Sequence, residues 1–260
     1  MNQLTPEQQR LSDALQSFPD KITEESLDWP EGYKLYEALR NLGDAILKAP
    51  GRFLYNDIST LRQDDFYLLG INPGGKPEIE NTPLFEEIRS WSQKSTHAIA
   101  VEGWNTTYQR TVEALCSAVG KELRELCSSN LYFIRTPGTD LLDATLSQLR
   151  ADFRVFWPVH EAVLDIVKPK CIFVFGADVF SKIIQLMLNS KEKPLLKYKS
   201  RPLLPKYKGG CNCSVGEGER LGSPMKVIGM PYPKYGRQLT SQPMVLQKIA
   251  EECRASTAKP

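Results

Sequence analysis

Asp65-Phe66-Tyr67-Leu68-Leu69-Gly70-Ile71-Asn72-Pro73-Gly74-Gly75 is the stretch whose reading decides the fold. Phe66 to Leu69 is an unbroken apolar run, the pattern of a strand covered on both faces. Gly70, Pro73, Gly74 and Gly75 then stop it. Glycine lets a backbone turn sharply and lets a ligand come close. Asn72 stands in the middle of the turn as a side chain able to do polar chemistry. In open α/β sheets, ligands bind outside the carboxyl ends of the strands. A polar residue held there by a Gly/Pro turn is a site candidate, although an ordinary Asn-Pro turn would read the same way.

The chain has 260 residues, enough for one large α/β domain or two small ones. Its 41% hydrophobic and 25% charged residues are ordinary for a globular protein. No apolar run approaches the roughly 18 residues of a membrane span, and Met1 to Glu7 lacks the basic and apolar regions of a signal peptide. The expectation is a cytoplasmic monomer with no membrane partner. Six cysteines include no C-x-x-C pair, and with two histidines they give no four-ligand metal pattern. Cys211 and Cys213 read as part of a flexible reduced loop, with a metal or redox pair as the alternative, and no cofactor is expected.

Net charge is +2, but it is unevenly spread. Between Lys191 and Lys208 seven basic residues stand against one acidic residue, so the remainder of the chain is acidic. Lys197, Lys199, Lys206 and Lys208, interleaved with Tyr198 and Tyr207, suit a polyanion contact. A solvated basic hairpin is the plainer reading. This stretch looks like an insertion at about 190–224, glycine-rich and mobile from Gly209 to Gly222.

Thr5-Pro6-Glu7-Gln8 is a helix start with a capping box, and the helix should run to about Ser17. A second helix is expected from Pro30 to Lys48, ended by Pro50-Gly51. Together these form an N-terminal helical segment, 1–52, packed on a domain of residues 53–260. Further helices are expected at Leu84–Gln93, Asn105–Leu126, Leu141–Lys168 (broken near Trp157-Pro158), Ala177–Asn189 and Ser241–Ala255. Strands are expected at Ser129–Thr136, Cys171–Ala177 and Met225–Met230. His160 reads as a packed or exposed helix residue. The fold these imply is a three-layer α/β/α domain with a short, mainly parallel four-stranded sheet.

Gly70-Ile71-Asn72-Pro73-Gly74 resembles the first active-site motif of the uracil-DNA glycosylase superfamily. The Asn form is similar to that of the mismatch-specific uracil/thymine and single-strand-selective branches. The resemblance extends through strand order over about residues 60–255. It implies a hydrolase that excises uracil or a related deaminated base from single- or double-stranded DNA, with a flipped pyrimidine as the bound group. It gives Asn72 the task of orienting water and the turn from Gly70 to Gly75 a substrate-binding role. Phe85, thirteen residues past Asn72, matches an aromatic that stacks on the base. Asn130 matches an Asn that reads the base edge, and Arg135 could hold that place. The second motif falls on Met230-Pro231-Tyr232, where the family has His or Asn, then Pro and Ser. Tyr232 and the following Lys234, Tyr235 and Arg237 would sit in a loop that meets DNA. Met230 has no hydrogen-bond donor, so the resemblance at the second motif is in outline. Some branches carry a four-cysteine iron–sulfur cluster, and that spacing is missing here.

Three readings follow: a monofunctional glycosylase, a catalytically weak glycosylase-fold protein that holds DNA or a base, and an unrelated doubly wound domain binding a phosphate at the Gly-rich turn. The third lacks the G-x-G-x-x-G and Walker spacings.

Overall fold

A computed structural model describes residues 4–73, 81–91, 107–188, 199–203, 213–220, 223–231 and 243–257. The chain opens with helices α1 (Pro6–Gln16), α2 (Glu24–Leu27), α3 (Pro30–Arg40) and α4 (Asp44–Lys48). Then come β1 (Phe66–Gly70), α5 (Leu84–Trp91), α6 (Thr107–Val119), β2 (Cys127–Asn130), α7 (Thr139–Gln148) and α8 (Phe153–Val167). The last part holds β3 (Cys171–Phe175), α9 (Ala177–Leu188), β4 (Lys199–Pro202), β5 (Ser214–Arg220), β6 (Ser223–Met230) and α10 (Pro243–Thr257). These elements form two compact units whose segments alternate along the chain. The first unit takes the described residues of 1–63, 71–97 and 127–167, so the N-terminal helices belong to it; the second takes those of 64–70, 98–126 and 168–260.

The second unit is an α/β/α sandwich. β1, β3 and β6 are parallel, with Phe66 beside Cys171, Val174 beside Gly229 and Phe175 beside Met230. Their side chains alternate between faces, as strand geometry requires. Phe66, Leu68, Phe173, Phe175, Ile228 and Met230 form one core with Val112, Leu115 and Cys116 of α6 and Val245, Ile249 and Cys253 of α10. Phe66 and Phe173 stack at 5.5 Å within it. α9 packs against β3 and β6, and the Phe180 ring rests on Gly229, on the residues of alternate register. Both faces of β3 are therefore covered, and Cys171–Phe175 is buried at every position, as is Phe66–Gly70.

The expected four strands are corrected upward. Among the described residues the second unit contributes five strands to the sheet, in the order β1-β3-β6-β5-β4, because β5 pairs antiparallel with β6 and β4 antiparallel with β5. The stretch expected to be mobile thus contributes strand β5, whose Val215 is fully buried. Pairing along the outer edge of β6 satisfies backbone groups that would otherwise be left open.

The first unit is built around α3 packed on α8, with α1 and α4 against α5. The Thr5 capping box forms as expected: Gln8 N–H donates to Thr5 Oγ1 at 3.2 Å and Thr5 N–H to Gln8 Oε1 at 2.9 Å. The expected helix over 30–48 is two helices, parted at Gly43, whose φ of +85° suits glycine. The helix expected from Asn105 ends at Val119 rather than Leu126. The break expected near Trp157-Pro158 lies earlier, at Leu149–Asp152. Ala151 N–H closes α7 on Leu146 O at 2.9 Å, Arg150 takes φ +51°, and Asp152 Oδ1 accepts from Arg154 N–H at the start of α8. Pro158 lies inside α8. The second strand is also shorter than expected. β2 stops at Asn130, and residues 131–136 continue as an irregular segment bridged at Ile134 to Gly51.

Phe180 occupies the space that a Cβ on Gly229 would need, at 2.6 Å from a ring carbon. Gly229→Ala should therefore overpack the α9 face and cost about 1–3 kcal/mol. Thermal and urea unfolding would read this; a variant as stable as the parent would show that α9 is not seated on β6.

Candidate functional site

Two X-Pro steps in the first unit hold its polar centre. The residue before a proline is kept out of the helical region, and both Asn72-Pro73 and Thr136-Pro137 have that form. The segments carrying them are fixed by the backbone: Tyr132 N–H donates to Ile71 O at 3.0 Å. The two side chains meet directly. Asn72 Nδ2 donates to Thr136 Oγ1 at 2.8 Å and to Pro73 O at 3.3 Å. Thr136 Oγ1 in turn donates to Gly138 O at 2.8 Å. Both residues are buried, Asn72 with 8% of its surface exposed and Thr136 with 2%.

This chain of bonds fixes the amide's orientation chemically. A hydroxyl has one proton. Thr136 gives it to a carbonyl, which can only accept, so Thr136 must accept from Asn72. The group facing Thr136 is therefore the NH2, and Oδ1 is turned the other way. Among the described residues, no donor reaches Asn72 Oδ1. The turn thus presents a neutral, pre-oriented acceptor.

The other candidates of this unit flank the same framework. Arg135 is buried, and its N–H donates to Pro50 O at 2.8 Å, while Arg52 N–H donates to Phe133 O at 2.8 Å. Gly51 packs so closely that a Cβ would lie 2.6 Å from Phe133 O. On the other side Gly51 N–H donates to Thr82 O at 3.2 Å and Leu84 N–H to Ala49 O at 2.9 Å. Residues 49–52 are thus strapped between the segment bearing Arg135 and the start of α5. Phe85 is the second residue of that helix. It is half-buried, and the Arg89 guanidinium lies over its ring at 5.4 Å. Asn130 is buried, and its amide N–H donates to Tyr55 OH at 2.6 Å. Arg52 lies over the Tyr55 ring at 5.9 Å and pairs with Glu87 at 2.9 Å.

Gly70 ends β1 in the second unit, Ile71 and Pro73 lie in the first, and Pro73 is buried. Met230 ends β6 in the second unit, 1% exposed within the α6 and α10 core, and its carbonyl accepts from Gly176 N–H at 2.8 Å. Its thioether offers no donor to any chemistry. Lys199 opens β4. Gly74, Gly75, Lys197, Lys206, Lys208, Tyr232, Lys234, Tyr235 and Arg237 lie outside the described residues.

Sequence reasoning passed over Thr136 and Tyr55. The signal for Thr136 was present in its own X-Pro step, Thr136-Pro137, the same form as Asn72-Pro73. Tyr55 had none, because its partner Asn130 is 75 residues away.

His160 secures the back of this region. It is fully buried on α8 and lies 5.1 Å from the Phe133 ring. Its Nε2 meets Leu131 O at 3.2 Å, and since a carbonyl only accepts, Nε2 carries the proton. Burial pulls the imidazole pKa down from 6.5 to about 4, against an opposing pull from the Leu131 and Asn130 carbonyls. The folded protein holds His160 neutral, whereas the unfolded chain protonates it near pH 6.5. The stabilisation is complete above pH 6.5 and is lost as pH falls toward about 4, amounting to about 3 kcal/mol. The unfolding midpoint should fall across that window, and His160→Gln, which keeps a donor without the titration, should flatten the fall. Identical pH profiles for parent and variant would remove His160 as the cause.

Comparison with protein-family models gives no match, and comparison with curated proteins gives none.

Proposed function

We propose that the chain is a DNA glycosylase-like protein that hydrolyses the N-glycosidic bond of uracil or a related deaminated base in DNA. The observation that carries the reading is Asn72, held by its NH2 with its carbonyl oxygen turned away from Thr136. In such a hydrolysis water's oxygen bonds to the sugar C1′ and the bond from C1′ to the base nitrogen breaks. The bonding pair leaves with the base as an anion, which takes up a proton. Asn72 Oδ1 would accept a hydrogen bond from that water and aim it. A neutral amide is a poor base, so its contribution is positioning. The same orientation disfavours phosphate as the group met by Asn72, because phosphate oxygens are acceptors facing an acceptor. Half-buried Phe85 keeps part of its ring available for stacking on a base, worth about 1–3 kcal/mol.

One observation favours a second reading, a catalytically weak protein that binds DNA or a flipped base. Met230 stands where the family places a donor to the departing base, and it is packed in a core. Loss of one such donor costs on the order of 10²–10³ in rate.

Single-turnover excision on uracil-containing single- and double-stranded DNA separates the two readings. Asn72→Ala should lower the excision rate about 100-fold and leave DNA affinity nearly unchanged, because aiming water acts in the chemical step. Excision at the parental rate would remove Asn72 from the mechanism, and DNA binding without excision of any deaminated base would establish the second reading. The basic stretch offers an independent check on the partner. Replacing Lys197, Lys199, Lys206 and Lys208 together with Gln should weaken DNA binding on every sequence and flatten its salt dependence by nearly one slope unit per lost phosphate contact. An unchanged slope would separate these lysines from DNA.

A further inference from the structure

Thr136 touches Asn72 through a hydroxyl whose two roles are both assigned, acceptor from Asn72 Nδ2 at 2.8 Å and donor to Gly138 O at 2.8 Å. Asparagine's amide is nearly symmetric in shape, so packing alone distinguishes poorly between its oxygen and its nitrogen. What distinguishes them here is hydrogen-bond polarity. The acceptor at Pro73 O is longer, 3.3 Å, and comes from the adjacent residue. Thr136 supplies the shorter bond, from a residue 64 positions away whose own hydroxyl is locked by the Gly138 carbonyl. Both partners precede prolines, so neither backbone can swing easily to accept a reversed amide.

We propose that Thr136 is a positioning residue that sets which end of the Asn72 amide faces the substrate. Without its hydroxyl the amide can turn over and present N–H groups where an acceptor is required. A water molecule would then be met by a donor and its lone pairs turned toward Asn72, away from the carbon it must attack. Thr136 itself touches nothing that reacts. The kinetic consequence rests on the glycosylase reading, whereas the amide orientation stands apart from it.

Thr136→Val keeps the shape and removes the hydroxyl; Thr136→Ser keeps the hydroxyl. Two readouts are needed. The first is the side-chain amide signal of Asn72 in 1H–15N spectra, assigned by its disappearance in Asn72→Asp. It should show slow proton exchange in the parent and in Thr136→Ser and fast exchange in Thr136→Val. The second is single-turnover excision with DNA affinity measured beside it. Thr136→Val should slow excision about tenfold at unchanged DNA affinity, and Thr136→Ser should restore most of the rate. If Thr136→Val leaves both the Asn72 signal and the excision rate as in the parent, Thr136 does not position Asn72, and the glycosylase reading stands without it. If Thr136→Ser is as impaired as Thr136→Val in both readouts, the methyl group and not the hydroxyl is responsible, and the proposal falls. If the parent excises no deaminated base, the glycosylase reading falls, and the exchange of the Asn72 amide alone decides for or against the positioning role.

Discussion

A backbone amide buried inside a sheet has no water to bond, so its strand must be paired on both sides. β3 meets that constraint by lying parallel between β1 and β6. Everything else in the second unit follows from it. Two covered faces demand side chains that are apolar at every position, which Cys171–Phe175 supplies. Helices α6 and α10 fill one face and α9 the other. Charge pairs hold the entry of β1: Lys121, just past α6, pairs with Asp64 at 2.8 Å, and Lys170, at the entry of β3, pairs with Asp65 at 3.1 Å. The Lys226 ammonium is satisfied twice by Glu252, through its carboxylate at 3.0 Å and its carbonyl at 2.9 Å. The value of the Lys226–Glu252 pair lies less in net stability than in what breaking it would strand, an unpaired charge in an apolar setting.

The first unit also uses polar side chains to satisfy buried backbone groups. Ser129 Oγ donates to Phe53 O, Asn130 reaches Tyr55, and Trp91 Nε1 donates to Asn56 O at 2.7 Å. Between these bonds an aromatic series supplies the apolar contact, Phe53 against Trp91 and Phe133, and Phe133 against Phe156, all edge-on. His160 belongs to this packing. Its neutrality is imposed by burial, and its bond to Leu131 O makes it a donor holding the segment that leads to Thr136.

Asn72 gains its chemical character from its neighbours. Alone, an amide offers donors and an acceptor in equal measure. Bound by Thr136, it offers an acceptor outward. Met230 illustrates the opposite outcome: a strand-end position whose side chain has nothing to offer but packing, and which the α6 and α10 core absorbs. The contrast fits a site that works by placement more than by charge, and it makes the identity of a single hydroxyl matter to the behaviour of an amide.

The sequence by itself determined the α/β class, the capping of α1, the strands at Phe66–Gly70 and Cys171–Phe175, and Asn72 as a polar residue at a strand end. These are local properties: apolar runs, caps and Gly/Pro punctuation act within a few residues of where they are written. The tertiary structure decided what local chemistry leaves open. It paired β4 and β5 onto β6, ended β2 at Asn130, and moved the α7–α8 break to Arg150 although Pro158 advertised it elsewhere. It also joined Asn72 to Thr136 and Asn130 to Tyr55 across 64 and 75 residues. A hydrogen bond between distant residues has no periodicity to betray it, because its geometry exists only after the chain has brought both partners to one place.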